Sequence, residues 1–206
     1  MGSLDPAVHS DAQVVEAVLA GNREAYAVLV QRYQRPIYNF CYRMLGSREE
    51  AEDATQEAFV KAFAHLGRFK SGEPFRPWLY RIAANACTDR LRRRGRVVDA
   101  GADDYRLEQA PDPQAGPEET LERQEQVVQL RSAIAALPEA YRQLVIMAHL
   151  QHMSYNDLIR VTGLPMTIIK NRLYRARLML KEALVGDGPP AAAGLRVAQA
   201  GGGDGP

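Results

Sequence analysis

Thr167, Asn171, Tyr174 and Arg175 fall on one side of a stretch whose apolar residues Ile169, Leu173, Ala176 and Leu180 recur at i, i+4, i+7 and i+11. Lys170, Arg172, Arg177 and Lys181 flank them. A helix entering the major groove needs this mixture, with cations for phosphates and Arg or Asn for base edges. A solvated basic face on a bundle helix satisfies the same pattern. A second group lies at Trp78, Arg81, Asn85, Asp89 and Arg92, on a different helical face from Phe75, Leu79, Ile82 and Ala86. An aromatic among cations suits single-stranded nucleic acid, because bases stack on rings and cations track phosphates. The pattern alone favours simple packing for Trp78. A third group, Asp53, Gln56 and Glu57, shares an exposed face opposite Ala54, Ala58, Phe59 and Ala62. Paired carboxylates can do acid–base chemistry. Here no His, Cys or nucleophile pattern accompanies them, and a solvated surface is the ordinary explanation.

Other chemistry finds no support. There is no P-loop, no Gly-rich nucleotide fingerprint and no metal-ligand spacing. His9, His65, His149 and His152 do not cluster in sequence, and the i, i+3 pair His149 and His152 lacks a nearby acid or Cys to complete a metal site. Neither metal nor cofactor is expected. Cys41 and Cys87 are the two cysteines and read as small buried apolar residues in a reducing compartment. No apolar run approaches the roughly 18 residues of a membrane span, and no N-terminal signal pattern is evident. Pro6 stands where a myristoylation signal would need Ser or Thr. A cytoplasmic protein without membrane insertion is expected.

These groups must be positioned by helices, since nearly every periodic stretch has helical period and no hairpin signal appears. A first helix is predicted near 11–20 with Asp11 at its N-cap. A long helix near 23–45 follows, with Pro36 expected to kink or split it and Gly46 to end it. Ser47 and Glu50 form a capping box for a helix reaching about 66. After a turn-rich stretch, a fourth helix runs from about 75 to 94. The spacing next predicts a helix from Pro138 through about 151. Ser154 and Asp157 form a second capping box, opening a short helix that ends at Thr162 and Gly163. A further helix spans about 165–185, and the tight Gly-containing turn between the last two gives a helix-turn-helix.

The net charge of +1 resolves into +4 over 1–98, −7 over 99–126, +5 over 127–185 and −1 over 186–206. Two basic blocks flank an acidic one, a hint of nucleic-acid contact. Residues 97–120 carry Gly101, Pro111, Pro113, Gly116 and Pro117 among seven acids and read as an extended linker. Residues 186–206, rich in Gly, Pro and Ala, read as disordered. The expected organisation is an all-α chain: one helical domain over 1–98, an acidic linker over 99–120, a second small helical domain over 121–185 and a tail over 186–206.

Three runs carry a family resemblance. Glu52-Asp53-Ala54-Thr55-Gln56-Glu57-Ala58-Phe59 resembles region 2.2 of sigma-70 factors. Phe75-Arg76-Pro77-Trp78-Leu79-Tyr80-Arg81-Ile82-Ala83-Ala84-Asn85 resembles regions 2.3–2.4, and the stretch from Leu137-Pro138-Glu139 to Arg175-Ala176-Arg177 resembles region 4. With no third domain between them, the chain looks like an extracytoplasmic-function (group 4) sigma factor. The resemblance covers about 11–98 and 122–184. It implies a non-enzymatic subunit that brings core RNA polymerase to promoters and helps melt them. It places Asp53, Gln56 and Glu57 against the β′ clamp helices, with the β flap as a second polymerase contact. It assigns the single-stranded −10 element to Arg68, Phe69 and Lys70 in the 66–74 loop and to Trp78, Arg81, Asn85, Asp89 and Arg92. It assigns the duplex −35 element to Thr167, Ile168, Lys170, Asn171, Arg172, Tyr174 and Arg175. An anti-sigma factor is a further partner the resemblance allows. A free-standing helix-turn-helix regulator would need neither the acidic docking face nor the Trp78 face. Two departures stand out. Ile159 replaces the family's usual Ala, which should push the paired helices apart or require repacking. Met166-Thr167-Ile168-Ile169 replaces a start of small-Gly-Thr-Val type, bringing Ile168 to the edge of the DNA face.

Overall fold

A computed structural model describes residues 9–70, 72–98 and 121–185, with side chains over 9–70, 72–95 and 125–185. Every regular element among them is helical: α1 (Asp11–Leu19), α2 (Tyr26–Leu45), α3 (Arg48–His65), α4 (Phe75–Val98), α5 (Leu121–Ala136), α6 (Glu139–Val145), α7 (Tyr155–Thr162) and α8 (Met166–Val185). Short 3-10 turns precede α2 and follow α3, and a π turn, Ile146–Leu150, continues α6. The expected linker over 99–120 and the tail over 186–206 lie outside the described residues.

Helix ends follow local chemistry. The N-cap of α1 is Ser10 rather than Asp11: its hydroxyl accepts from Gln13 N, while Gln13 Oε1 accepts from Ser10 N at 2.8 Å. The Asp11 carboxylate is instead engaged by Arg32 and the Tyr33 hydroxyl, tying α1 to α2. Gly46 closes α2 at φ 72°, a left-handed conformation that glycine adopts without steric cost. Pro36 does not split α2, which runs unbroken for 20 residues. Ser47 caps α3 by accepting from Glu50 N at 3.3 Å. The Glu50 carboxylate does not complete a capping box; it pairs with Arg94 of α4. α4 outruns its expected end by four residues, reaching Val98.

The predicted helix through 151 is correct in place and different in kind. α6 ends at Val145, and Gln151 N then donates to Ile146 O at 3.0 Å, five residues back. His152 lies beyond this wide turn and holds φ 50°, so His149 and His152 do not share a regular helix face. The Ser154–Asp157 capping box forms as expected, and Gly163 ends α7 at φ 70°.

The first four helices enclose Leu29, Ile37, Phe40, Met44, Leu79 and Tyr80 at full burial. Each such side chain contributes about 1.5–3 kcal/mol relative to exposure. Cys41 and Cys87 sit within this core as free thiols. A second nucleus forms around Leu144, Ile146, Met147, Leu158, Ile169 and Leu173. The two are continuous, because α7 packs on α4 and the π turn packs on α2.

Polar contacts reinforce that junction. Arg76 donates to the Gln151 carbonyl, and the Tyr80 hydroxyl donates to Gln151 Oε1 at 2.6 Å. Thr88 donates to the Glu139 carboxylate, and Arg142 Nη1 donates to Met44 O at 2.8 Å.

Candidate nucleic-acid interface

α8 is oriented by its buried stripe. Ile169, Leu173 and Ala176 are buried and Leu180 half-buried. Thr167, Ile168, Lys170, Asn171, Tyr174 and Arg175 are left exposed, and Arg172 is half-buried. The turn before α8 is set by Thr162, whose hydroxyl donates to Leu158 O at 2.7 Å and accepts from Leu164 N at 3.2 Å. Lys170 Nζ lies 5.8 Å from the Tyr155 ring centroid, a cation–π contact joining the two helices of the pair. No Asp or Glu occurs on α8 before Glu182, so the face carries an uncompensated positive charge suited to phosphates. Ile159 is half-buried and packs against the core. Ile168 is 39% exposed, enough to offer an apolar contact at the edge of the face.

The α4 group divides. Arg81, Asn85, Asp89 and Arg92 are exposed. Asp89 and Arg92 approach to 3.8 Å as a solvent-exposed pair of little energetic weight. Trp78 is half-buried, which agrees with the packing role that the pattern alone favours. Its ring meets Phe69 edge-on at 5.2 Å and Phe75 tilted at 5.6 Å. Phe69 also meets Phe75 at 5.9 Å. The three rings form one cluster under the 66–74 loop, with Arg68 and Lys70 exposed at its rim. A stacking platform of this kind is what an unpaired base would require. Ser71 lies outside the described residues.

On α3, Asp53 and Gln56 are exposed, while Glu57 is half-buried between Lys61 and Arg90. The hydrogen bond from Lys61, and then Arg90, holds the Glu57 carboxyl below the usual carboxylate range. Two residues absent from the sequence-based group share this face: Val60 is 62% and Phe63 40% exposed. Val60 follows Asp53, and Phe63 follows Gln56, at i+7, a helical stripe that is present in the sequence. The edge of Phe63 also packs on Tyr26 at 4.9 Å. A mixed acidic and apolar strip of this sort fits a protein partner better than solvent.

No group of three or more His, Cys, Asp or Glu that could hold a metal occurs among the described residues. No helix among them is long and apolar enough to cross a membrane.

Two family models match the chain. Sigma-70 region 2 covers residues 29–97, and Sigma-70, region 4 covers 128–180. These are the two helical units described above, and they define an RNA polymerase sigma factor. The chain belongs to the sigma-70 family, in its extracytoplasmic-function branch. It is 33% identical to the RNA polymerase sigma-H factor of Pseudomonas aeruginosa, over 84% of this chain and 93% of that one. It is 30% identical to the extracytoplasmic-function sigma factor SigW of Bacillus subtilis, over 82% and 94%. Among solved structures it resembles the sigma factor RpoE of Bartonella quintana, crystallised with the anti-sigma factor NepR. There the TM-score is 0.64 at 25% identity, covering 77% of this chain and 96% of that one.

Proposed function

We propose that the chain acts as a cytoplasmic, non-enzymatic specificity subunit that joins core RNA polymerase, reads a promoter at two places and helps to melt it. The observation that carries this reading is the pairing, on one chain, of the exposed cationic face of α8 with the Phe69–Phe75–Trp78 cluster beside Arg81, Asn85 and Arg92. The first suits duplex and the second suits an unstacked strand. A duplex-binding repressor would use only the first.

In this reading Asp53, Gln56 and Glu57, extended by Val60 and Phe63, dock on the β′ clamp helices, and the second helical unit meets the β flap. Arg68, Phe69, Lys70, Trp78, Arg81, Asn85, Asp89 and Arg92 hold the melted −10 strand. Flipping a base out of the stack costs a few kcal/mol, which an aromatic pocket offsets. Thr167, Ile168, Lys170, Asn171, Arg172, Tyr174 and Arg175 read the −35 duplex. An anti-sigma factor is a natural further partner, as NepR is for the Bartonella protein.

The packed arrangement cannot read both elements together. Their names place them about 25 base pairs apart, roughly 85 Å at 3.4 Å per step. α4 and α8 both pack on α7, which keeps their axes within about 20 Å at ordinary helix spacings. The domains must separate on the polymerase, and residues 99–120 could bridge roughly 75 Å if fully extended. The test is run-off transcription with purified core polymerase on a pool of promoter fragments. New transcripts that require this protein support the reading; an absence of core binding overturns it.

A further inference from the structure

α1 lies ahead of residue 29, where the region 2 match begins, and neither DNA-reading face draws on it. It buries Val14, Val15 and Val18, and it packs on α2 and on the 3-10 turn Leu66–Arg68 that opens the 66–74 loop. Its first residue, Asp11, accepts from the Tyr33 hydroxyl and pairs with Arg32. Arg32 Nη2 also donates to His9 O at 2.7 Å, clasping the chain where it enters α1. Burial first, and then the Asp11 bond, push the Tyr33 pKa up, so the phenol stays a donor. Tyr33 is the inner end of a row of four rings. Its centroid lies 5.8 Å from that of Phe75. Phe75 in turn meets Phe69 at 5.9 Å and Trp78 at 5.6 Å. Phe75 is 2% exposed, too deep to touch a ligand, while Phe69 and Trp78 are half-buried. Close-packed side chains pass a displacement on, because a gap on one side forfeits contact there.

The geometry points to Asp11 and Tyr33 as positioning residues for the −10 site: their hydrogen bond fixes the wall against which Phe75 holds Phe69 and Trp78, and so sets the ring surface on which an unstacked base rests. The role rests on the assignment of that cluster to the melted −10 strand. Neither residue touches DNA in it. They act through Phe75, and stacking on a ring depends on its separation and tilt. Apolar packing of α1 is already served by Val14, Val15 and Val18. A hydrogen bond from a phenol to a carboxylate adds what that packing lacks, a direction, because such bonds are short and strong.

The test uses the full chain assembled with purified core polymerase, and single-stranded oligonucleotides carrying the −10 sequence of a promoter that this holoenzyme transcribes. An abasic site placed at each position in turn should weaken binding at one position by about tenfold or more, the loss of one stacked base. In Tyr33→Phe, which keeps the ring, that penalty should fall to about threefold or less. Asp11→Ala should do the same, and the double variant should lose no more than either, since both act through one bond. Asp11→Asn should keep the penalty, because an amide still bonds the hydroxyl. Glu16→Gln, on the exposed side of α1, should match the parent. Affinity for core polymerase should be unchanged throughout. A merely structural role would move the unfolding midpoint but not the ratio between intact and abasic strands. A parent penalty that Tyr33→Phe and Asp11→Ala both retain, whatever their stability, overturns the positioning role and leaves the −10 assignment standing. A parent without a position-specific penalty overturns the −10 assignment and this role with it.

Discussion

The Tyr80 hydroxyl donates a 2.6 Å hydrogen bond to Gln151 Oε1, joining two buried side chains that come from the two separately matched regions of the family. Burial pushes the Tyr80 pKa up to about 12, so the phenol remains a donor at any working pH. Tyr80 also meets Phe40 edge-on at 5.4 Å, so the latch grows directly out of the first core. Tyr80→Phe leaves the ring packing in place and the Gln151 amide oxygen buried without its donor. A loss of about 1–3 kcal/mol is expected in urea unfolding. Tyr80→Phe with Gln151→Leu should recover part of that loss, because no polar atom is then stranded. A single Tyr80→Phe change with no effect would show that the junction does not hold in solution.

Docking on polymerase should respond most cleanly to Asp53→Ala with Gln56→Ala. Both side chains are exposed and neither holds the fold. At least a tenfold rise in the Kd for core is expected, about 1.4 kcal/mol, with unchanged helical circular dichroism. Glu57→Ala should behave differently. It removes the partner of Lys61 and Arg90, so some stability should be lost alongside affinity. Unchanged core binding in the Asp53/Gln56 variant would remove this face from the interface.

Arg175→Ala should weaken binding to promoters carrying a −35 element by about 1–3 kcal/mol, the range for one base-paired Arg. Its exposed position on α8 predicts no change in unfolding. A footprinting titration on promoters with and without the −35 element separates a base contact from a phosphate contact. Equal loss on both would reassign Arg175 to the backbone.

Acidification should destabilise the protein through His149. Its folded pKa lies below the ordinary 6.5 because of burial, Arg177 and His152. Between the folded and unfolded values the unfolded chain binds more protons. The contribution is therefore lost as pH falls through about 6.5 and levels off below the folded pKa. Thermal unfolding between pH 8 and 5.5 should show this slope, and His149→Gln should flatten it.

Much of the fold was legible because its signals are local. The Ser154–Asp157 box, the glycines at 46 and 163, and the Ile169–Leu173–Ala176 stripe act within one or two turns of their own helix. Such contacts depend on spacing alone, so the amino-acid sequence determined the helices, their ends and the outward face of α8. The departures come from contacts that are distant in the chain. Arg32 and Tyr33 engage the Asp11 carboxylate, so it does not cap α1, and Arg94 engages that of Glu50, so it does not complete the capping box. Partners 21 to 44 residues away in the chain leave no periodic trace.

What tertiary structure alone decided is which polar groups meet across that distance. It buried Trp78 halfway on Phe69 and Phe75, held Glu57 between Lys61 and Arg90, and took His149 and His152 off a common helix face. Above all it set Tyr80 against Gln151 and packed α7 of the second unit on α4 of the first. Helical periodicity says which side of a helix turns inward. It does not say which helix from the other domain that side will find, because docking is settled by shape and desolvation summed over the whole surface.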